Sequence, residues 1–131
     1  MTDNDGRPLR VLIIDDNADV RSALGRVIDG QADLTLAGVA AGPSDGIRLA
    51  QALSPDVLVV DVQMPDGGGL RVTREVTAAQ PGVRIVAYSA FDKALITRVM
   101  ATAGAAAYVS KAASLDELLA AIRDKGAAAP A

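Results

Sequence analysis

Two runs of four apolar residues, each closed by aspartate, constrain this chain more than any other feature: Val11-Leu12-Ile13-Ile14 before Asp15-Asp16, and Val57-Leu58-Val59-Val60 before Asp61. Neither run alternates with polar residues. Both therefore suit strands buried on two faces, the habit of parallel sheets covered by helices. Helix-period stretches follow. Val20, Leu24, Val27 and Ile28 share one face after the first run. Leu34 to Val39 reads as a weaker second strand, and Ile47, Ala50 and Leu53 line a second helix. Leu70 to Ala79 reads as a third helix ended by Pro81-Gly82, and Val83 to Tyr88 as a fourth strand. Asp92 is placed to cap a fourth helix carrying Leu95, Ile96, Val99 and Met100, which Gly104 can stop. Ala106 to Val109 is a short fifth strand. Ser114 with Glu117 forms a capping box for a last helix, whose Leu115, Leu118, Leu119 and Ile122 recur at helical spacing.

Five β–α units in series predict an α/β fold, a parallel sheet with helices on both faces. Residues 10–125 form one domain in this reading, between a disordered N-terminal segment, 1–9, and a flexible tail, 126–131. In such sheets ligands bind beyond the carboxyl ends of the strands, where strand order reverses.

Composition removes several function classes. There is no cysteine and no histidine. That excludes disulfides, thiolate metal sites and imidazole acid–base chemistry, so any metal here is a hard cation held by oxygen. No run approaches the roughly 18 apolar residues of a membrane span. Met1 to Pro8 is polar and acidic, unlike a secretory signal. The expected setting is the cytoplasm, with no membrane contact. A formal charge of -3 and 2% aromatic residues argue against direct nucleic-acid binding by this chain.

The strand ends carry the chemistry. Asp15 and Asp16 follow the first strand, Asp61 the third, Ser89 the fourth and Lys111 the fifth. Singly, each has an ordinary explanation: Asp16 or Asn17 as the cap of the first helix, Ser89 as a turn residue, Lys111 as a solvated charge. Jointly they place three acids, a hydroxyl and an ammonium on one sheet edge. A cluster of carboxylates is tolerable when a divalent cation neutralises it, and all-oxygen ligation favours Mg²⁺ or Mn²⁺.

The ordered set resembles the receiver domain of two-component response regulators, from about Arg10 to Lys125. It comprises Val11 to Asp16, Pro55-Asp56 through Asp61, Met64-Pro65, Gly69, Ser89-Ala90, Gly104-Ala105, Tyr108 and Lys111. Tyr108, Lys111, Ala113, Ser114, Glu117, Leu118, Leu119 and Ile122 resemble the subgroup usually joined to a helix-turn-helix DNA-binding domain. The resemblance implies a flavodoxin-like receiver fold with strand order 2-1-3-4-5. It implies that Asp61 takes a phosphoryl group from a histidine kinase or phosphotransfer protein. Asp15, Asp16, Asp61 and the backbone carbonyl of Gln63 would hold Mg²⁺, with Asp15 acting mainly through water. Lys111 and Ser89 would contact the phosphoryl group, and small Ala90 would keep the approach open. Tyr108 reads either as the aromatic switch that follows Ser89 or as a half-buried packing residue. The signalling surface, and a possible homodimer face, would be the fourth helix, fifth strand and fifth helix.

Asp66-Gly67-Gly68-Gly69 lacks the Gly-Lys-Ser/Thr ending of a P-loop and reads as a flexible connection. One departure is plain: Ala112, not proline, follows Lys111. That leaves either a rare non-proline cis bond or a trans loop. Three rival readings fit the residues less well. A haloacid-dehalogenase-type phosphatase resembles Asp-x-Asp, whereas position 63 is Gln, so the chain is not expected to be an enzyme beyond promoting its own phosphorylation and hydrolysis. A flavodoxin needs a phosphate-holding loop that Asp15-Asp16 would repel. A degenerate receiver loses an acid or the lysine, and none is lost. The output is expected to be either a longer DNA-binding regulator or a stand-alone receiver acting by protein contact.

Overall fold

The computed structural model describes residues 6–65, 67–90 and 94–124. The expected Asp92 cap and the tail 126–131 lie outside these residues, as does Asp66. Five strands alternate with five helices: β1 (Leu9–Ile14), α1 (Ala18–Asp29), β2 (Leu34–Ala40), α2 (Pro43–Leu53), β3 (Val57–Asp61), α3 (Gly68–Ala79), β4 (Arg84–Ser89), α4 (Ala94–Ala103), β5 (Ala107–Ser110) and α5 (Leu115–Arg123). The strands form one parallel sheet in the order β2-β1-β3-β4-β5, as the resemblance implied.

Alternation along each strand feeds two cores. Val11, Ile13, Val57, Val59, Val86 and Val109 face α1 and α5, meeting Leu24, Ile28, Leu118 and Ile122. Leu12, Ile14, Leu58, Val60, Ile85 and Ala87 face the opposite side, meeting Ala50, Val72, Val76 and Met100. Both faces are dry, which is why β1 and β3 read as unbroken apolar runs. β2 is an edge strand with mixed exposure, and its weaker hydrophobic signal follows from that.

The structure departs from the sequence reading at Leu9, at Leu115 and at the glycines before α3, while β2 ends, and β4 and β5 lie, one residue later than expected. Leu9, assigned to the disordered N-terminal segment, opens β1, where its N–H donates to the Asp33 carbonyl at 2.9 Å. Tertiary pairing extends the strand past the apolar run. Leu115 shares the helical spacing of Leu118, Leu119 and Ile122 but is 47% exposed, where those three are buried. Gly68 and Gly69 are not slack loop but the first turn of α3. A Cβ on Gly69 would lie 2.5 Å from the Val62 Cα and 2.7 Å from the Asp61 carbonyl oxygen. Glycine there lets α3 start hard against the end of β3, which holds Asp61 from behind. Among the described residues no helix is long and apolar enough to cross a membrane.

Candidate functional site

The carboxyl ends of β1, β3, β4 and β5 converge, and they bring together the acids and the ammonium expected of them. Carboxylate oxygens of Asp15, Asp16 and Asp61 lie within 4.8 Å of one another. Lys111 Nζ sits 3.2 Å from Asp15 Oδ2 and 3.5 Å from Asp61 Oδ1. Asp15 and Asp61 are buried while Asp16 is exposed.

Main-chain donors steer the two buried acids. The Asn17 N–H donates to Asp15 Oδ1 at 2.8 Å, and the Gln63 N–H to Asp61 Oδ1 at 3.0 Å. Asn17, not Asp16, caps α1: its side chain accepts from the Val20 N–H. Asp16 is thereby left to the acid cluster. The Lys111 N–H donates to the Ser89 carbonyl at 2.6 Å, carrying the β4–β5 pairing up to the site. The Lys111–Ala112 peptide is trans, which resolves the alternative left open by the missing proline.

Burial raises the Asp61 carboxyl above its ordinary value. The Gln63 N–H and the Lys111 charge oppose that rise, while the Asp15 and Asp16 charges add to it. Burial would lower the Lys111 ammonium, but the Asp61 and Asp15 carboxylates outweigh it and raise it instead. Lys111 is therefore firmly charged. The site holds more carboxylate than the Lys111 ammonium neutralises. Its donor set is hard oxygen, two of the three acids being buried, and this fits a hard divalent cation.

Two participants escaped sequence reasoning. Tyr88, read only as a strand residue, places its ring under Lys111, with Nζ 5.5 Å from the centroid. Burial raises its hydroxyl pKa, the Lys111 charge opposing and the Asp15 charge assisting. An aromatic residue directly before the strand-end serine was the available signal. The second is the Gln63 carboxamide. The sequence reading gives it no hydrogen-bonding role, yet its Nε2 donates to Ser89 Oγ and its Oε1 accepts from the Ala90 N–H. Nothing in the sequence foretells that reach. Tyr108 is half-buried against the α2–α4 side of the sheet, in register with Ala87 on β4.

A sequence profile of the response regulator receiver domain matches residues 11–123. The chain belongs to that family. This receiver is 36% identical over 115 residues to the response regulator GacA of Pseudomonas aeruginosa, covering 88% of the chain and 54% of GacA. It thus spans about half the length of the curated relatives it matches. Among solved structures it is similar to a LuxR-family two-component response regulator from Aurantimonas sp. SI85-9A1, with TM-score 0.82 and 27% identity over 86% of this chain and 80% of that one. It is also similar to the signal receiver domain of the response regulator NarL from Mycobacterium tuberculosis, with TM-score 0.85 and 26% identity, covering 90% and 95% of the two chains. These relatives fall in the subgroup that residues 108–122 resemble. Phosphorylation on aspartate is the general function of this family.

Proposed function

We propose that Asp61 is the phosphoacceptor of this receiver, charged from the phosphohistidine of a sensor kinase or phosphotransfer protein. One observation carries the reading. Asp61 ends the central strand, buried, with the Lys111 ammonium at 3.5 Å and two further carboxylates beside it. An Asp61 carboxylate oxygen forms the bond to phosphorus as the phosphorus–nitrogen bond of the donor breaks. The electron pair returns to the donor imidazole, and an acyl phosphate remains on Asp61.

Phosphoryl transfer needs charge neutralisation and positioning more than covalent help. Lys111 supplies one fixed positive charge, and Asp15 and the Tyr88 ring hold it in place. Asp15, Asp16, Asp61 and the Gln63 carbonyl would hold Mg²⁺, or Mn²⁺, which supplies the remaining neutralisation when bound. Ser89 donates to a phosphoryl oxygen, and small Ala90 leaves the approach open. The chain promotes its own phosphorylation and slow hydrolysis without turning over outside substrates, and it works in the cytoplasm. The output surface is α4–β5–α5, which serves for partner contact or a homodimer. The likeness to LuxR-family regulators favours DNA binding by a further domain as the output of the whole protein. A stand-alone receiver acting by protein contact is the other form of the same reading.

Incubation with acetyl phosphate and Mg²⁺ is expected to add one alkali-labile phosphoryl group. Asp61→Asn abolishes it. Asp56→Asn, at the opposite end of β3 where Asp56 accepts from the Arg10 N–H at 2.8 Å, does not. Equal labelling of wild type and Asp61→Asn removes Asp61 from this role.

A further inference from the structure

Gln63 reaches two places at once. Its N–H donates to Asp61, while its carboxamide crosses to the end of β4. There Nε2 donates to Ser89 Oγ and Oε1 accepts from the Ala90 N–H at 3.3 Å. The sense of the amide follows from chemistry. A main-chain N–H can only donate, so the amide oxygen must face Ala90 and the NH₂ turns to the hydroxyl. Asp61 pairs with Tyr88 across β3 and β4. Ser89 and Ala90 therefore stand one and two residues past the Asp61 register position, at the same edge of the sheet. A hydroxyl and an N–H at that place are what phosphoryl oxygens require: the carboxamide takes the Ala90 N–H outright and holds the Ser89 hydroxyl through its lone pair, on the oxygen that must turn its O–H to a phosphoryl group.

We propose that the Gln63 carboxamide is a displaceable stand-in for the phosphoryl group, holding Ser89 and Ala90 until a charged competitor takes them. Gln63 is then a positioning residue that sets how readily this receiver charges and switches. The proposal rests on Asp61 being the phosphoacceptor. Its physical basis is a difference in bond type. The carboxamide makes neutral hydrogen bonds, whereas a phosphoryl oxygen makes charge-assisted ones of roughly twice the strength. Water, a neutral partner, gains little by displacing the amide, but an anion gains much. Gln63 is partly exposed and can release its side chain into solvent, while Met64 beside it is buried and pins the loop.

Reach and polarity are separable. Gln63→Asn keeps the amide but is one methylene short of β4. Gln63→Met keeps the length but makes no comparable hydrogen bond. The test is calorimetric titration with beryllofluoride, a phosphoryl mimic, at saturating Mg²⁺, with amide exchange at Ala90 followed in the metal-free protein. Both variants are expected to bind beryllofluoride roughly fivefold to tenfold more tightly, the effect of removing one or two competing neutral hydrogen bonds. Both should also exchange the Ala90 amide faster and fold less stably than wild type by that same factor in the folding constant, a loss that saturating beryllofluoride removes and that a merely structural role would leave in place. Unchanged or weaker binding in both variants overturns the proposal, whatever the exchange shows. Binding that is the same in wild type and Asp61→Asn overturns the phosphoacceptor reading beneath it, and this proposal with it.

Discussion

Asp61 is a carboxylate under opposed forces: burial and the neighbouring acids favour its protonated form, Lys111 and the Gln63 N–H its charged form, and the balance lies toward the proton. The pH dependence follows. The folded protein holds the Asp61 proton more tightly than the unfolded chain does. Its contribution to stability is thus complete below the unfolded value of about 4 and declines as pH rises through the raised folded value. In chelator, the difference in stability between wild type and Asp61→Asn should therefore shift toward the variant as pH rises from 4 to 7, as urea denaturation would measure. Asp16→Asn is expected to raise the metal-free melting temperature and to shrink the rise produced by Mg²⁺. That rise is about 2.7 kcal/mol of stabilisation at a hundred times the dissociation constant. A variant that melts lower and keeps the full shift would show that the acids do not share a metal. At this scale the acids, the serine and the lysine were legible because each abuts an apolar run. Tyr88 and the Gln63 carboxamide were not. Their roles depend on which strand lies next to which, and on the reach of one side chain across a gap between strands.

Among the elements, β1, β3 and α5 and the caps of α1 and α5 were readable, since Asn17, Ser114 and the buried runs act locally. The edge strand β2 and the start of α3 were less so, because neighbours rather than propensity decide them. The junction between α4 and β5 shows how tightly the helices on the α2–α4 side are set. Gly104 has φ +124, and a Cβ there would lie 2.2 Å from Thr77 Oγ1 on α3. Gly104→Ala meets both the backbone strain and the clash, and is expected to cost about 2 kcal/mol in urea denaturation. Adding Thr77→Ala should recover only the part due to the clash. Full recovery would mean that the backbone conformation costs nothing, and no loss in the single variant would mean that α3 and α4 separate freely.

At the scale of the whole molecule, the site at one sheet edge is joined to the α4–β5–α5 surface through β4 and β5. Ser89 shares a strand face with Ala87, whose register partner is Tyr108. By the resemblance, a phosphoryl group drawing Ser89 inward would leave room for Tyr108 to enter, and the pair would then bias two arrangements of that surface. A ligand shifts such an equilibrium only by its differential affinity for the two states. From a minor state of roughly 1%, reversal needs about 5.5 kcal/mol. Ser89→Ala should still take phosphate on Asp61 but lose much of the beryllofluoride-induced change in NMR shifts across residues 94–123. A full change in that variant would mean that the signal bypasses Ser89. The ammonium that faces Asp15 arrives 96 residues later in the chain. The site is therefore complete only once β5, the last of the five strands, has paired with β4, so any form of the protein that lacks that pairing also lacks the charge that faces its acids.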